Sequence, residues 1–330
     1  MGALNTSDNI QLSLPKEPLN LQSIAQELQL TANSFETELV AKYIQLAIAD
    51  NTRSAYQSDL AHYIAWGASI PSSPEQLAAY LAYYATELSP ATLARRLVSI
   101  GKAHTAQGLS SPAKSELVKA TLRGIRRTVG VNQRQVSPVL KECVVEMVEN
   151  LTGFKGARDR ALLLIGFAGA FRRSELVALE YADIEFVAEG VSITIRKSKT
   201  DQESLGRKLG IPYARGLVCP VKALKEWLAL SGIAEGKIFR PCNRHRMTSN
   251  EGLSPQSVAL IIKQRANSVG LNAEQYSGHS LRAGLVTSAA KAGVSSWKIR
   301  QQTGHKSDAM LQRYIRDSQI FIDNAVGAIL

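Results

Sequence analysis

Val191-Ser192-Ile193-Thr194-Ile195 is the stretch at which this chain changes period. Apolar side chains fall on every second position there, as in a strand. The long segments on either side repeat every three or four residues, as amphipathic helices do. Leu209-Gly210-Ile211-Pro212 is the expected antiparallel partner of that strand. A small sheet set among helices makes the fold class mainly α.

Working outward, helical spacing predicts helices over 139–151, 156–170 and 173–180 before the strand, and over 220–230, 254–269, 280–292, 295–303 and 307–315 after it. Nearer the N-terminus, 21–31, 34–49, 52–67, 73–86, 90–107 and 113–127 carry the same pattern, broken by Pro71, Pro74, Pro90, Gly108 and Pro112. That half reads as an all-helical domain over 20–128. The polar stretch 129–137, with Gly130 inside it and Pro138 after it, has the composition of an interdomain linker. A mixed, mostly helical domain follows over 138–316. Residues 1–19 are polar and aperiodic and read as a flexible arm. In 317–330, Ile322, Val326, Ile329 and Leu330 form one apolar stripe that needs a groove to fill.

The length of 330 residues suits two domains with sizeable cores. The formal charge of +11 points to a polyanionic partner such as nucleic acid. Residues 131–330 hold 28 Lys and Arg against 18 Asp and Glu, so most of the excess lies in the second domain. The first has a basic run of its own over 91–127, where Glu116 is the single acid. Three widely spaced cysteines, Cys143, Cys219 and Cys242, fit neither a disulfide framework nor a zinc site, and are expected to be buried thiols in a reducing compartment. No signal peptide is visible, and the longest apolar run, 161–171, is too short for a bilayer. A soluble cytoplasmic protein associated with the nucleoid, without a membrane partner, is the expectation.

Cutting a phosphodiester with a protein hydroxyl requires a nucleophile, positive charge for the reacting phosphoryl group and an acid for the departing alkoxide. Each has a candidate. Tyr314, between Arg313 and Arg316, offers a phenol with a pKa of about 10, a better leaving group than an alkoxide and so reversibly displaced. Arg172 and Arg282 can bracket a phosphate with bidentate guanidiniums, and Glu175, one turn past Arg172, can orient it. His279 shares a helical face with Arg282 and can accept the phenolic proton or bond a phosphate oxygen. His305, after Gly304, can donate to a non-bridging oxygen. Lys199, in the basic turn after the strand, can protonate the departing 5′-oxygen. Singly, each has a plain structural reading: a packed helical tyrosine, a helix-end cation, a surface ion pair, a solvated hairpin. Their ordered company favours the chemistry, which calls for neither metal nor cofactor.

At these residues the chain resembles the tyrosine recombinase, or phage integrase, family. Ala170-Phe171-Arg172-Arg173-Ser174-Glu175-Leu176 is similar to its first arginine box, usually Gly-Leu-Arg-Ile-Ser-Glu-Leu. Lys199 matches its β-turn lysine, His279 to Arg282 its His-x-x-Arg box, and Gly304-His305 and Tyr314 follow in the family's order. Two departures stand out: Ala170 replaces the box glycine, and Ala283 occupies a position where many integrases have histidine. The likeness covers 138–316 by motif. Over 20–128 it rests on helical pattern and on Asn51-Thr52-Arg53-Ser54-Ala55-Tyr56.

The resemblance implies a site-specific strand transferase with a two-domain, Cre-like organisation, a 3′-phosphotyrosyl intermediate and a Holliday junction, acting as a homotetramer on double-stranded DNA with short inverted repeats. It further implies that the domains grip the duplex from opposite faces and that 317–330 docks into a neighbouring protomer. DNA contacts are expected from Arg53, Arg95, Arg96, Arg123, Arg126 and Arg127 in the first domain, from Lys197 in the hairpin, and from Gln256, Lys263 and Arg265 on the 254–269 helix. The rivals are a DNA-relaxing enzyme of the type IB topoisomerase kind and a DNA-binding protein without turnover.

Overall fold

The computed structural model describes Leu39, Tyr43 and residues 47–130, 136–196, 206–216, 218–305, 307, 308, 311 and 314. It divides into two compact units, Met1–Arg134 and Gln135–Leu330. The expected arm, most of the helices over 21–31 and 34–49, residues 131–135 of the linker, the hairpin residues Lys197 and Lys199, and the tail 317–330 lie outside the described residues.

In the first unit the described helices are α1 (Asp50–Ala65), α2 (Pro74–Tyr83), α3 (Pro90–Thr105) and α4 (Glu116–Val129). Serine followed by proline starts both α2 and α3. Ser73 and Ser89 accept the backbone N–H of Gln76 and Thr92, while the proline adds no orphan donor. The core gathers Tyr63, Leu77, Tyr80, Leu81, Leu93, Leu97, Ile100 and Val118, with Tyr63 and Tyr80 in edge-to-face contact at 4.8 Å between centroids. On α4, Val118, Leu122 and Ile125 point inward at helical spacing, leaving Lys119, Arg123 and Arg126 exposed.

The second unit runs α5 (Lys141–Glu149), α6 (Gly153–Ala168), α7 (Arg173–Ala178), β1 (Ile184–Val187), β2 (Gly190–Ile195), β3 (Arg207–Pro212), α8 (Pro220–Ser231), α9 (Pro255–Ser268), α10 (Ser280–Lys291) and α11 (Ser296–Thr303). The apolar run read from the sequence falls in α6 as far as Ala168, on a helix buried on nearly every side as a central core helix should be. The sheet is antiparallel in the order β1-β2-β3, with Ile193 opposite Leu209 and Ile195 opposite Arg207. Val191, Ile193 and Ile195 turn inward with Leu209 and Ile211, as a period of two requires. Strand β1 was not foreseen: four residues that end at a tight turn are too short a run to declare their period.

Helix α10 lies against the segment that leads into this unit. The Val139 N–H donates to the Ser280 carbonyl at 3.0 Å, and a Cβ built on Gly284 would stand 1.8 Å from the Val139 oxygen. Only glycine permits that approach. Of the expected helix over 307–315, Ser307, Asp308, Leu311 and Tyr314 are described; the last three are helical and Ser307 is not. The cysteines correct one expectation, since Cys219 is buried while Cys143 and Cys242 are only partly so. No described helix is long and apolar enough to cross a membrane.

Candidate active site

The turn after α6 sets the first wall of the site. Ala170 is fully buried with φ of 48°, a left-handed conformation uncommon for a residue with a Cβ. It presents its carbonyl to the Arg282 guanidinium, whose Nη1 donates to it at 2.8 Å. Buried Phe171 follows, and then Arg172 at the N-cap of α7. Glu175, three residues on, uses both carboxylate oxygens on Arg172. Oε2 accepts the backbone N–H at 3.0 Å and Oε1 accepts Nη1 at 2.5 Å. The Glu175 side chain is 2% exposed, so this is a buried brace and not the surface ion pair of the plainer reading.

Arg282 is 1% exposed on the first turn of α10. Its Nη2 donates to His305 Nε2 at 3.1 Å, and neither that imidazole nor the Ala170 carbonyl brings a negative charge. Burial, then the Arg172 charge and further off Arg207, pull its pKa down to about 10, against the opposing pull of Glu175 and Tyr314. It remains a cation at neutral pH.

His305 follows Gly304, which ends α11 at φ of 67°. Burial first, and then Arg282, Arg172, His279 and Arg207, hold its pKa down to about 3, so the ring is neutral. Its tautomer follows from its neighbours. Arginine has no acceptor, so Nε2 must be the bare nitrogen. Nδ1–H then donates to Thr303 Oγ1 at 2.7 Å, and the Thr303 hydroxyl donates to the Ile299 carbonyl at 2.7 Å. His305 therefore accepts from Arg282, where the sequence suggested a donor to a non-bridging oxygen.

His279 stands at the N-cap of α10 with solvent access. Desolvation of its ring first, and then the charges of Arg282 and Arg172, lower its pKa, which keeps it neutral. Its Nε2 lies 3.1 Å from the Tyr314 phenol oxygen of the same chain. Tyr314 packs against the Val286, Ala290, Ile299 and Leu311 cluster between α10 and α11, which fixes the distance. Arg313 and Arg316 are outside the described residues.

The sequence reading missed a third guanidinium. Arg207, the first residue of β3, shares the inward face of Leu209 and Ile211 and donates through Nη1 to the Gln302 carbonyl at 2.9 Å. Its own pKa is lowered by burial and by Arg172, against Glu175. The alternation was legible, but an arginine at a strand end reads as solvated. Arg172, Arg207 and Arg282 thus share the described site with one carboxylate, Glu175, and the N-terminus of α10 adds its partial positive charge. An arrangement so positive suits an anion.

The residues expected to meet DNA divide. Arg95, Arg123, Arg126, Arg127 and Gln256 are exposed, although Arg95 is tied to Asp59 and Arg123 to Glu116. Arg53 is half-buried beside Asp50, and Lys263 pairs with Glu274. Two point inward instead. Arg96 is buried, donating to the Tyr80 hydroxyl at 2.6 Å and lying against Asp59. Arg265 closes on the carboxylate of Asp159, which is 0% exposed and also holds Arg158. Both correct the expectation, because a buried carboxylate must be matched by charge and it drew these arginines in.

The phage integrase family model matches residues 139–319. An integrase/recombinase of Selenomonas ruminantium, described as a XerD homologue, is 42% identical over 290 residues, 84% of this chain and 85% of the relative. Recombinase Cre of Escherichia phage P1 is 26% identical over 282 residues, 79% of each chain. Among solved structures, the XerH site-specific recombinase bound to palindromic difH substrate aligns with a TM-score of 0.64 at 19% identity, covering 93% of this chain and 87% of that one. A lambda integrase tetramer bound to a Holliday junction aligns with a TM-score of 0.61 at 18% identity, covering 91% and 82%. These last two are likenesses of fold. The family model takes in more than half of the sequence and the curated relative is close, so this chain belongs to the phage integrase family, the DNA strand-transferring tyrosine recombinases.

Proposed function

We propose that the protein is a site-specific DNA recombinase in which Tyr314 is the nucleophile. The observation that carries the reading is the 3.1 Å approach of a neutral imidazole, His279, to the Tyr314 phenol beside two arginines. The phenol oxygen attacks the scissile phosphorus and its proton passes to His279 Nε2. Arg172 and Arg282 hold the non-bridging oxygens, Glu175 fixes Arg172, and His305 fixes Arg282. The bond from phosphorus to the 5′-oxygen breaks as Lys199 supplies that oxygen with a proton. A 3′-phosphotyrosyl linkage and a free 5′-hydroxyl result. Attack by the 5′-hydroxyl of a second duplex reverses the step and passes the strand on, conserving bond energy without an external cofactor.

Support for Lys199 comes from its surroundings in the chain. The Ile195 and Arg207 pair flanks its segment, and Arg207 reaches α11 next to His305. The exposed Lys119, Arg123 and Arg126 face of α4 suits the duplex backbone, and the names of the relatives favour strand transfer over relaxation. We further propose a homotetramer on a short inverted-repeat site, joined through the apolar stripe of 317–330, in keeping with the lambda integrase tetramer of the same fold.

The test is to express the chain with a DNA library, denature, and sequence the fragments that stay bound. Fragments sharing one short motif are expected from the native protein and none from Tyr314→Phe. Linked DNA surviving in Tyr314→Phe would falsify the assignment.

A further inference from the structure

Helix α11 ends beside the site; the Arg300 carbonyl accepts the Gly304 N–H at 2.7 Å, and the carbonyls that follow it lie past the helix's own ladder. Arg207 answers them. Its Nη1 donates to the Gln302 carbonyl at 2.9 Å and more distantly to that of Gln301 at 3.5 Å, while Nη2 reaches the Thr303 carbonyl at 3.5 Å. The fit is close, since a Cβ built on Gly304 would lie 3.1 Å from the Arg207 guanidinium carbon. The Gln302 side chain ties the same turn to the Ala168 carbonyl at the end of α6. Two residues past this clamp, His305 accepts from Arg282.

The other end of the 197–205 segment is anchored as well. Arg196 donates to Asp183 at 2.5 Å and to Glu180 at 3.1 Å. Both flanks are pinned by guanidiniums, but only Arg207 engages the candidate site. Its charge is felt by Arg282 and His305, and it answers in turn to Arg172 and Glu175.

We propose that Arg207 is a positioning residue, gripping the end of α11 so that His305 holds Arg282 against the scissile phosphate. The proposal rests on the recombinase reading and assigns Arg207 to charge neutralisation at phosphorus, not to protonation of the leaving group.

The experiment measures formation of the Tyr314–DNA linkage by the full chain in single turnover, on three forms of the recovered site. One is the phosphodiester. The second is a methylphosphonate, whose reacting group has lost one negative oxygen. The third carries a 5′-bridging sulfur that departs without a proton. Arg207→Met is expected to slow linkage on the phosphodiester about 10- to 100-fold, as loss of a supporting partner typically does, with DNA affinity unchanged. The loss should shrink to within about 3-fold on the methylphosphonate, where less charge needs neutralising, and should persist with sulfur. Arg207→Lys, which keeps a charge and one donor, should show the same pattern more weakly, and it carries the test if Arg207→Met does not fold. Equal losses on phosphodiester and methylphosphonate, native rates in both variants, or recovery with sulfur would each overturn the proposal. Failure of the native chain to form any linkage strikes the recombinase reading itself, so the two failures are told apart.

Discussion

Arg282 Nη2 and His305 Nε2 lie 3.1 Å apart in a contact that only one tautomer of the histidine can make. The proton that would otherwise compete for Nε2 is on Nδ1, committed to Thr303 Oγ1 at 2.7 Å. Thr303→Val should therefore loosen Arg282 without touching it. The expected outcome is loss of about 1–3 kcal/mol of stability from a buried donor left unpaired, with slower covalent linkage to DNA. A denaturant titration beside a single-turnover assay checks both, and native values in the two would remove the tautomer from the mechanism.

Acid should destabilise the protein through the same histidine. Its folded pKa of about 3 lies below the ordinary 6.5, so between these values the unfolded chain binds a proton that the folded chain refuses. The contribution is whole above pH 6.5 and is lost as pH falls toward 3, with a slope of up to about 1.4 kcal/mol per pH unit. His279, also lowered, acts in the same direction. Melting curves at pH 7, 6 and 5 should fall for the native chain and flatten for His305→Gln; parallel curves would contradict the assignment.

Glu175 braces Arg172 through two bonds, so Glu175→Ala should leave that guanidinium unheld. Linkage is expected to slow about 10- to 100-fold while the apparent affinity for DNA holds. Weaker binding at an unchanged rate would show instead that Arg172 serves the ground state.

Gly284→Ala drives a methyl group into the Val139 carbonyl. Overpacking against backbone should cost about 1–3 kcal/mol or more. The second unit should melt earlier in calorimetry, and an unchanged melting temperature would mean that α10 can shift freely.

Arg265→Ala separates stability from DNA contact. It strips one partner from the buried Asp159 carboxylate, a change that typically costs about 3–5 kcal/mol. Sequence preference on DNA should survive in the protein that still folds. Relaxed preference at native stability would restore Arg265 to the DNA interface.

Much of this was written in the one-dimensional pattern. The change from period 3.6 to period 2 at Val191–Ile195 located the sheet, the prolines marked breaks between helices, and the ordered Arg172, His279, Arg282, His305 and Tyr314 were candidates that the fold brings together. These are local properties, set by which face of an element each side chain occupies. Direction and partnership were not legible. Charge alone made Arg96 and Arg265 look like DNA contacts and left Arg207 unremarked, because the carboxylates and carbonyls that claim them lie far off along the chain. The protonation of His305 likewise waited for the fold. Burial and four neighbouring cationic or imidazole groups, none adjacent to it in sequence, keep it neutral and turn it from a donor into the acceptor that holds Arg282.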